Sequence, residues 1–212
     1  LGPGPDRWLT PEAAAALGTV DHVVGYGPYL DRVPPRPGLV RHPSGNTVEL
    51  ERARLALDLA KSGQRVAVVS GGDAGVFGMA AAVFEAIEQG PPSWRELDVR
   101  VLPGVTAMLA AAARLGAPLG GDFCALNLSD NLKPWSVIEA RLTHAARAGF
   151  VIALYNPRSR ARSEQLDAAF ALLRRERSGD AVVAFARALG SPGEALHVTT
   201  LAAAEPARAD MQ

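Results

Sequence analysis

Four short segments carry the residue types from which chemistry can be built. They are Leu1-Gly2-Pro3-Gly4, Gly71-Gly72-Asp73-Ala74-Gly75, Pro103-Gly104 and Asn156-Pro157-Arg158-Ser159. Glycine has no Cβ, so backbone amides and carbonyls can approach a ligand closely there. An adenine or a ribose is well served by such main-chain contacts. One glycine loop alone is a weak signal, because strand-to-helix turns use glycine anyway. Four of them in one chain favour a ligand site.

Several other chemistries lack their residues. No G-x-G-x-x-G and no G-x-x-x-x-G-K-[ST] is present. No G-x-S-x-G elbow precedes a helix-like stretch. His22, His42, His144 and His197 lie far apart in the chain, without H-x-x-x-H spacing, and read as surface or packing residues. The single cysteine, Cys124, excludes an internal disulfide and any cysteine-rich zinc site, and fits a reducing cytoplasm. No metal site is expected.

The loops need elements to hold them. Thr10-Pro11-Glu12 reads as a helix start, with a hydroxyl N-cap and proline in the first turn, and Gly18 reads as its end. His22-Val23-Val24 reads as a short strand. Arg32 to Gly45, with four prolines, reads as mostly irregular. A helix is expected from Thr47 to Ser62, closed by Gly63. Arg65 to Ser70 is a strand-length apolar run, followed by the glycine turn and a helix from Val76 to Glu88. Asp98 to Leu102 is expected as a strand, with a helix over Thr106 to Leu115. Further strands are expected at Phe123–Leu128, Phe150–Tyr155, Ala181–Ala186 and Leu196–Thr200. Helices are expected from Pro134 to about Gly149 and from Ser163 to Arg175. This alternation predicts an α/β protein with a largely parallel sheet. Ligands bind outside the carboxyl ends of such strands, where the loops fall. Ala117-Pro118-Leu119-Gly120-Gly121 divides the chain into an expected N-terminal domain, 1–117, and a C-terminal domain, 118–212.

Composition narrows the class. Apolar residues are 48% and charged residues 21%, as in folded globular chains. Lys plus Arg (22) balance Asp plus Glu (22), which argues against non-specific nucleic-acid binding as the main task. No run of about 18 apolar residues suggests a membrane span.

The loops also occur in a familiar order. Leu-Gly-Pro-Gly at 1–4, Val-Ser-Gly-Gly-Asp-Ala-Gly-Val-Phe-Gly-Met-Ala at 69–80, Leu-Pro-Gly-Val-Thr-Ala at 102–107 and Ala-Leu-Tyr-Asn-Pro-Arg-Ser at 153–159 resemble the tetrapyrrole methylases. These are the class III S-adenosylmethionine-dependent methyltransferases. The likeness spans nearly the whole chain. Gly72-Asp73-Ala74-Gly75 with the following Gly78-Met79-Ala80, the stretch Ser129-Asp130-Asn131-Leu132-Lys133-Pro134-Trp135 with Val137-Ile138-Glu139, and Tyr155 to Ser159 resemble members that methylate C-17 of a corrin precursor and contract its ring.

The resemblance implies two α/β domains with a donor cleft between them, in a cytoplasmic homodimer. S-adenosylmethionine would be held by Pro3, Gly71, Gly72, Asp73, Val76, Thr106 and Ala107, and by Asn156, Ala188, Thr200 and Leu201. Many members have proline where Ala74 stands and methionine where Asn156 stands. The uroporphyrinogen-methylating relatives have a catalytic aspartate where this chain has Tyr26, which argues against that substrate. Ring contraction moves protons, and Tyr26, Asp130 and Lys133 are the candidate acids and bases. Arg158 and Arg160, with Ser129, are candidates for the substrate carboxylates, which arginine binds bidentately; Arg162 follows the same strand end, and Arg32, Arg36 and Arg41 lie in the proline-rich segment. The family's Leu-Gly-Pro-Gly loop follows a first strand. A natural chain longer at both ends is therefore the expectation, with one strand before Leu1 and another after Asp210-Met211-Gln212. Alternatives stay open: a cobalt-loaded substrate, another precorrin position, an RNA or diphthamide methylase, or a non-catalytic tetrapyrrole carrier.

Overall fold

Thr10 begins the first helix as its chemistry requires. Its Oγ1 accepts the Ala13 N–H at 3.3 Å, and Pro11 opens α1 (Pro11–Thr19). Gly18 does not stop this helix, which ends one residue later. The computed structural model describes residues 1–46, 48–130, 133–159 and 162–209. The expectations placed on Thr47, Asn131, Leu132, Arg160 and Asp210-Met211-Gln212 lie outside the described residues. The chain divides into two compact units, Leu1–Ala107 and Met108–Gln212.

In the first unit, β1 (His22–Tyr26) leads through a short helix, α2 (Gly27–Leu30), to β2 (Val40–Ser44). Then come α3 (Glu49–Lys61), β3 (Val66–Val69) and α4 (Met79–Gln89). The sheet is parallel, in the order β2-β1-β3. The strand β2 corrects the expectation of an irregular 32–45 segment. It pairs with β1 over Val40 to Ser44, and Pro43 is tolerated because β2 is an edge strand. Helix α4 starts at Met79 rather than Val76, because Phe77 is left-handed (φ 52°) and breaks the helical run. Residues 98–102 make no ladder, against expectation. A groove of about 790 Å³, lined by Val66, Val68, Val99 and Val101, lies between them and the edge of β3. Two apolar clusters hold the unit: Ala53, Leu57, Met79, Val83, Ala86 and Trp94 between the helices, and Val23, Leu30, Val33 and Val69 on the sheet.

Helix α5 (Ala107–Leu115) starts on the last residue of the first unit, and the second unit also holds β4 (Phe123–Asn127), α6 (Trp135–Arg147), β5 (Val151–Tyr155), α7 (Gln165–Glu176), β6 (Val182–Arg187) and β7 (Ala195–Thr200). Strands β4 and β5 are parallel, and β6 and β7 form an antiparallel pair. Gly63, Gly116 and Gly149 follow α3, α5 and α6 with φ of 88°, 63° and 82°, as helix C-caps demand. Leu128, Ile138, Leu142, Leu166, Phe170 and Leu201 are among the buried residues of its core. Among the described residues, no helix is long and apolar enough to cross a membrane, and no group of three or more His, Cys, Asp or Glu is placed to hold a metal ion.

Candidate functional site

Parallel pairing in the first unit brings the carboxyl ends of its strands to one edge. Tyr26 lies beside Ser44, and Gly25 beside Val69. The loops that leave this edge are joined by main-chain bonds. Gly2 and Gly72 exchange hydrogen bonds as an isolated antiparallel bridge, and both are left-handed (φ 69° and 68°). The Leu1 nitrogen donates to the Ser70 carbonyl at 3.0 Å. A Cβ on Gly72 would lie 4.0 Å from Thr106 Cα and Ala107 N. So Gly2, Pro3, Gly71, Gly72, Asp73, Thr106 and Ala107 share one small region.

Asp73 organises that region through its side chain. One carboxylate oxygen accepts the Gly75 N–H at 2.7 Å and the other accepts the Gly104 N–H at 2.8 Å. Any ligand contact from Asp73 therefore falls to its backbone or to lone pairs left over. The Val76 N–H donates to Asp73 O at 3.2 Å, closing the turn. Ser70 Oγ accepts the Met79 N–H at 2.9 Å and so caps α4 from a distance.

Tyr26 stands at the end of β1, with its ring edge-on to Tyr29 at a centroid distance of 5.5 Å. Tyr29 in turn lies over Gly71: a Cβ there would meet its ring at 2.8 Å. Burial raises the Tyr29 hydroxyl pKa above its ordinary value. Three arginines of the 32–45 segment serve as carbonyl clamps. Arg32 donates to Leu1 O, Gly2 O and Gly4 O; Arg36 to Leu17 O and Val20 O; Arg41 to Leu30 O. His22 and His42, far apart in sequence, meet at 2.8 Å between Nδ1 and Nε2, with rings stacked. Their place as packing residues agrees with the expectation, and the pairing of β1 with β2 supplies the contact.

In the second unit the ends of β4 and β5 gather the other candidates. Asn127 Oδ1 accepts the Ser129 N–H at 2.9 Å and the Asn156 Nδ2–H at 3.0 Å. Asp130 accepts from Gln165 Nε2 at 3.1 Å, and Lys133 Nζ donates to Ser129 O at 3.4 Å. Burial, followed by the charge of Arg141, lowers the Lys133 pKa, while Asp130 partly offsets this. Arg158 is ion-paired with Asp167 on α7, so it is not a free cation waiting for an anion. Arg162 reaches Asn156 O at 3.3 Å, and Arg160 lies outside the described residues. Tyr155 Oη accepts the Met108 N–H at 2.9 Å.

Ala188 follows β6 in the left-handed region (φ 48°), and its carbonyl accepts from Ser191 N and Oγ. Thr200 ends β7, and its Oγ1 accepts the Ala203 N–H at 3.4 Å. Leu201 is buried in the core; its N–H donates to Ala181 O and its carbonyl accepts from Arg174.

One signal was not visible in the residue string. The left-handed non-glycine residues among those described are Phe77, Asn156 and Ala188. Each is a ligand-loop candidate or the neighbour of one. Such conformations cost about 1–3 kcal/mol each and persist where the surrounding structure enforces them, often at ligand clamps. Tyr29, Asn127 and Gln165 are site neighbours that sequence reasoning does not name, and Arg32 appears there only as one arginine of the proline-rich segment.

Residues 1–205 match the family described as Tetrapyrrole (Corrin/Porphyrin) Methylases. The chain is 55% identical over 210 residues to the precorrin-3B C(17)-methyltransferase of Sinorhizobium sp, covering 99% of this chain and 83% of that protein. Its fold matches the crystal structure of the methyltransferase CobJ with a TM-score of 0.97 at 52% identity, over 100% of this chain and 88% of that one. The uroporphyrin-III C-methyl transferase from Thermus thermophilus, crystallised with S-adenyl homocysteine, matches with a TM-score of 0.68 at 25% identity, over 95% of this chain and 81% of that one.

Proposed function

The chain belongs to the tetrapyrrole (corrin/porphyrin) methylases, and from this we propose that it transfers a methyl group from S-adenosylmethionine to C-17 of precorrin-3B. Contraction of the macrocycle to precorrin-4 accompanies the transfer, as a step of cobalamin biosynthesis. The near-full-length likeness to the precorrin-3B C(17)-methyltransferase carries this reading.

The donor's methyl sits on a sulfonium. The electron pair of the ring carbon forms the new C–C bond, and the C–S bond pair returns to sulfur, leaving the thioether S-adenosylhomocysteine. This displacement needs little acid–base help. Positioning alone can supply about 7–11 kcal/mol of barrier lowering. Loops of main-chain donors and acceptors suit that task. Pro3, Gly71, Gly72, Asp73 through its backbone, Val76, Thr106 and Ala107 are the proposed donor contacts of the first unit. Asn156, Ala188, Thr200 and the backbone at Leu201 are those of the second. The tight glycine cradle supports the fit, since a Cβ on Gly104 would meet Gly72 O at 2.7 Å.

Ring contraction needs a proton acceptor or donor. Tyr26, Asp130 and Lys133 are the proposed groups. The lowered pKa of Lys133 makes its neutral form more accessible than in an ordinary lysine. Ser129, Arg158 and Arg160 are the proposed contacts to the substrate's carboxylates. Incubation with precorrin-3B and labelled S-adenosylmethionine tests the reading by mass spectrometry. Gain of one methyl and a changed chromophore are expected; an unaltered substrate overturns the proposal. A parallel incubation with cobalt-loaded substrate tells the two substrate forms apart.

A further inference from the structure

We propose that Arg32 is a positioning residue for the methyl donor, acting through the Leu1–Gly4 loop rather than by touching either reactant. The proposal rests on the donor-site reading given above.

Three carbonyls of one four-residue loop converge on the Arg32 guanidinium. Nη1 donates to Gly2 O at 3.0 Å, and Nη2 donates to Leu1 O and Gly4 O at 2.7 Å each. Among the described residues no carboxylate lies within ion-pair distance of Arg32. The side chain is half-buried, and Asp6, Tyr29 and the Leu1 amino group act on it electrostatically. A cation placed this way is directed at backbone, not at a counter-ion. Its planar fork holds five donors in fixed geometry, whereas an ammonium offers three on a flexible stem.

The loop it holds has reason to need holding. Gly2 is left-handed, and Gly2 and Gly4 flank Pro3, so the free loop would sample many conformations. Fixing it before the ligand arrives removes an ordering cost from binding. Arg32 follows Tyr29 on the same segment, and Tyr29 covers Gly71. The stretch after β1 thus braces two donor loops, one by charge-assisted hydrogen bonds and one by an aromatic ring.

Arg36 provides the comparison. It makes the same kind of clamp, on Leu17 O and Val20 O at the end of α1, and bonds to no carbonyl of the Leu1–Gly4 loop. Three variants, Arg32→Met, Arg32→Lys and Arg36→Met, are titrated calorimetrically with S-adenosylhomocysteine, melted thermally and assayed for KM and kcat. Arg32→Met is expected to weaken S-adenosylhomocysteine by about tenfold or more, as loss of charge-assisted bonds implies. It should raise the donor KM and leave kcat at saturating donor and the tetrapyrrole KM near wild type. Arg32→Lys should fall between, and Arg36→Met should lower the melting temperature without changing donor affinity. Wild-type donor affinity in Arg32→Met overturns the proposal while the function stands. If Arg32→Met does not fold, Arg32→Lys decides, and wild-type affinity there overturns the proposal equally. Failure of the wild-type protein to bind S-adenosylhomocysteine overturns the donor-site reading itself, and this proposal with it.

Discussion

Gly2 and Gly72 are bonded to each other through both of their backbone groups, with N to O distances of 3.1 Å from Gly2 and 2.9 Å from Gly72. Seventy positions apart in sequence, the two residues form a one-rung ladder between loops, and each is in the left-handed region. This bridge joins the Leu1–Gly4 loop to the loop after β3. Everything proposed for donor binding in the first unit is built around it.

Asp73 is the side chain that ties this pair to the 103–104 turn. In Asp73→Asn one oxygen still accepts an amide, but the new NH2 faces the second N–H. Hydrogen bonds to charged groups contribute about 1.5–3 kcal/mol. Donor affinity is therefore expected to fall roughly tenfold or more, read by titration with S-adenosylhomocysteine. Unchanged affinity would mean that the carboxylate does not shape the donor loops.

Gly104→Ala would bring a Cβ to 2.7 Å from Gly72 O, and backbone there has little room to yield. Overpacking of this kind costs about 1–3 kcal/mol. Both a lower melting temperature and weaker donor binding are expected. Gly120→Ala is the control: nothing lies within 4 Å of its Cβ position, so the change should stay within about 0.5 kcal/mol. Equal melting temperatures for the two variants would remove the steric argument.

Arg158 and Asp167 pair on a partly solvated surface, with side-chain exposures of 26% and 54%. Such a pair contributes about 0–1 kcal/mol, so Arg158→Ala should hardly change the melting temperature. It should weaken tetrapyrrole binding more than S-adenosylhomocysteine binding. Asp167→Asn, which frees the guanidinium, should leave tetrapyrrole affinity equal or raise it. Equal losses for both ligands in Arg158→Ala would sink the role in substrate binding.

The His22–His42 contact predicts a pH dependence of stability. Burial, and then the charge of His22, lower the His42 pKa below its ordinary 6.5. The unfolded chain thus binds more protons than the folded one just below that value, and stability rises with pH there. The contribution is complete above about pH 6.5 and is lost as the pH falls below it. Asp21, held down at about 2 by Arg65, acts in a more acidic window. His42→Leu should therefore flatten the stability curve between about pH 5 and 6.5 and leave the steeper acid limb in place. Denaturant midpoints across that range provide the measurement, and parallel curves for variant and wild type would refute the coupling.

The reading of the fold succeeded where the signal is short-range. Thr10 before Pro11 capped a helix, Gly63 and Gly149 closed two others, and the β-branched run at Val66–Val69 became β3. The fold class and the methyltransferase family were also legible, because the glycine loops carry their order and spacing in the chain itself. Where pairing decides, the same reading failed. Prolines hid β2, which exists because β1 offers it a parallel neighbour. Residues 98–102 have strand composition but meet no ladder partner. Phe77 moved the start of α4 because a left-handed residue has no reliable signature in a single sequence.

Residue types and spacing in the chain decide which loops can approach an adenosyl donor, since the absence of a Cβ is a property of glycine wherever it sits. The partners of those loops are another matter. Arg32 on three carbonyls, Asp73 on the Gly104 amide, Arg158 on Asp167 and His22 on His42 are contacts of 9 to 31 residues' separation with no local cue. An arginine reads the same in sequence whether it faces solvent, a carbonyl or a substrate. Its role is set by which groups the packed strands and loops bring within hydrogen-bonding distance, and that only the tertiary structure decides.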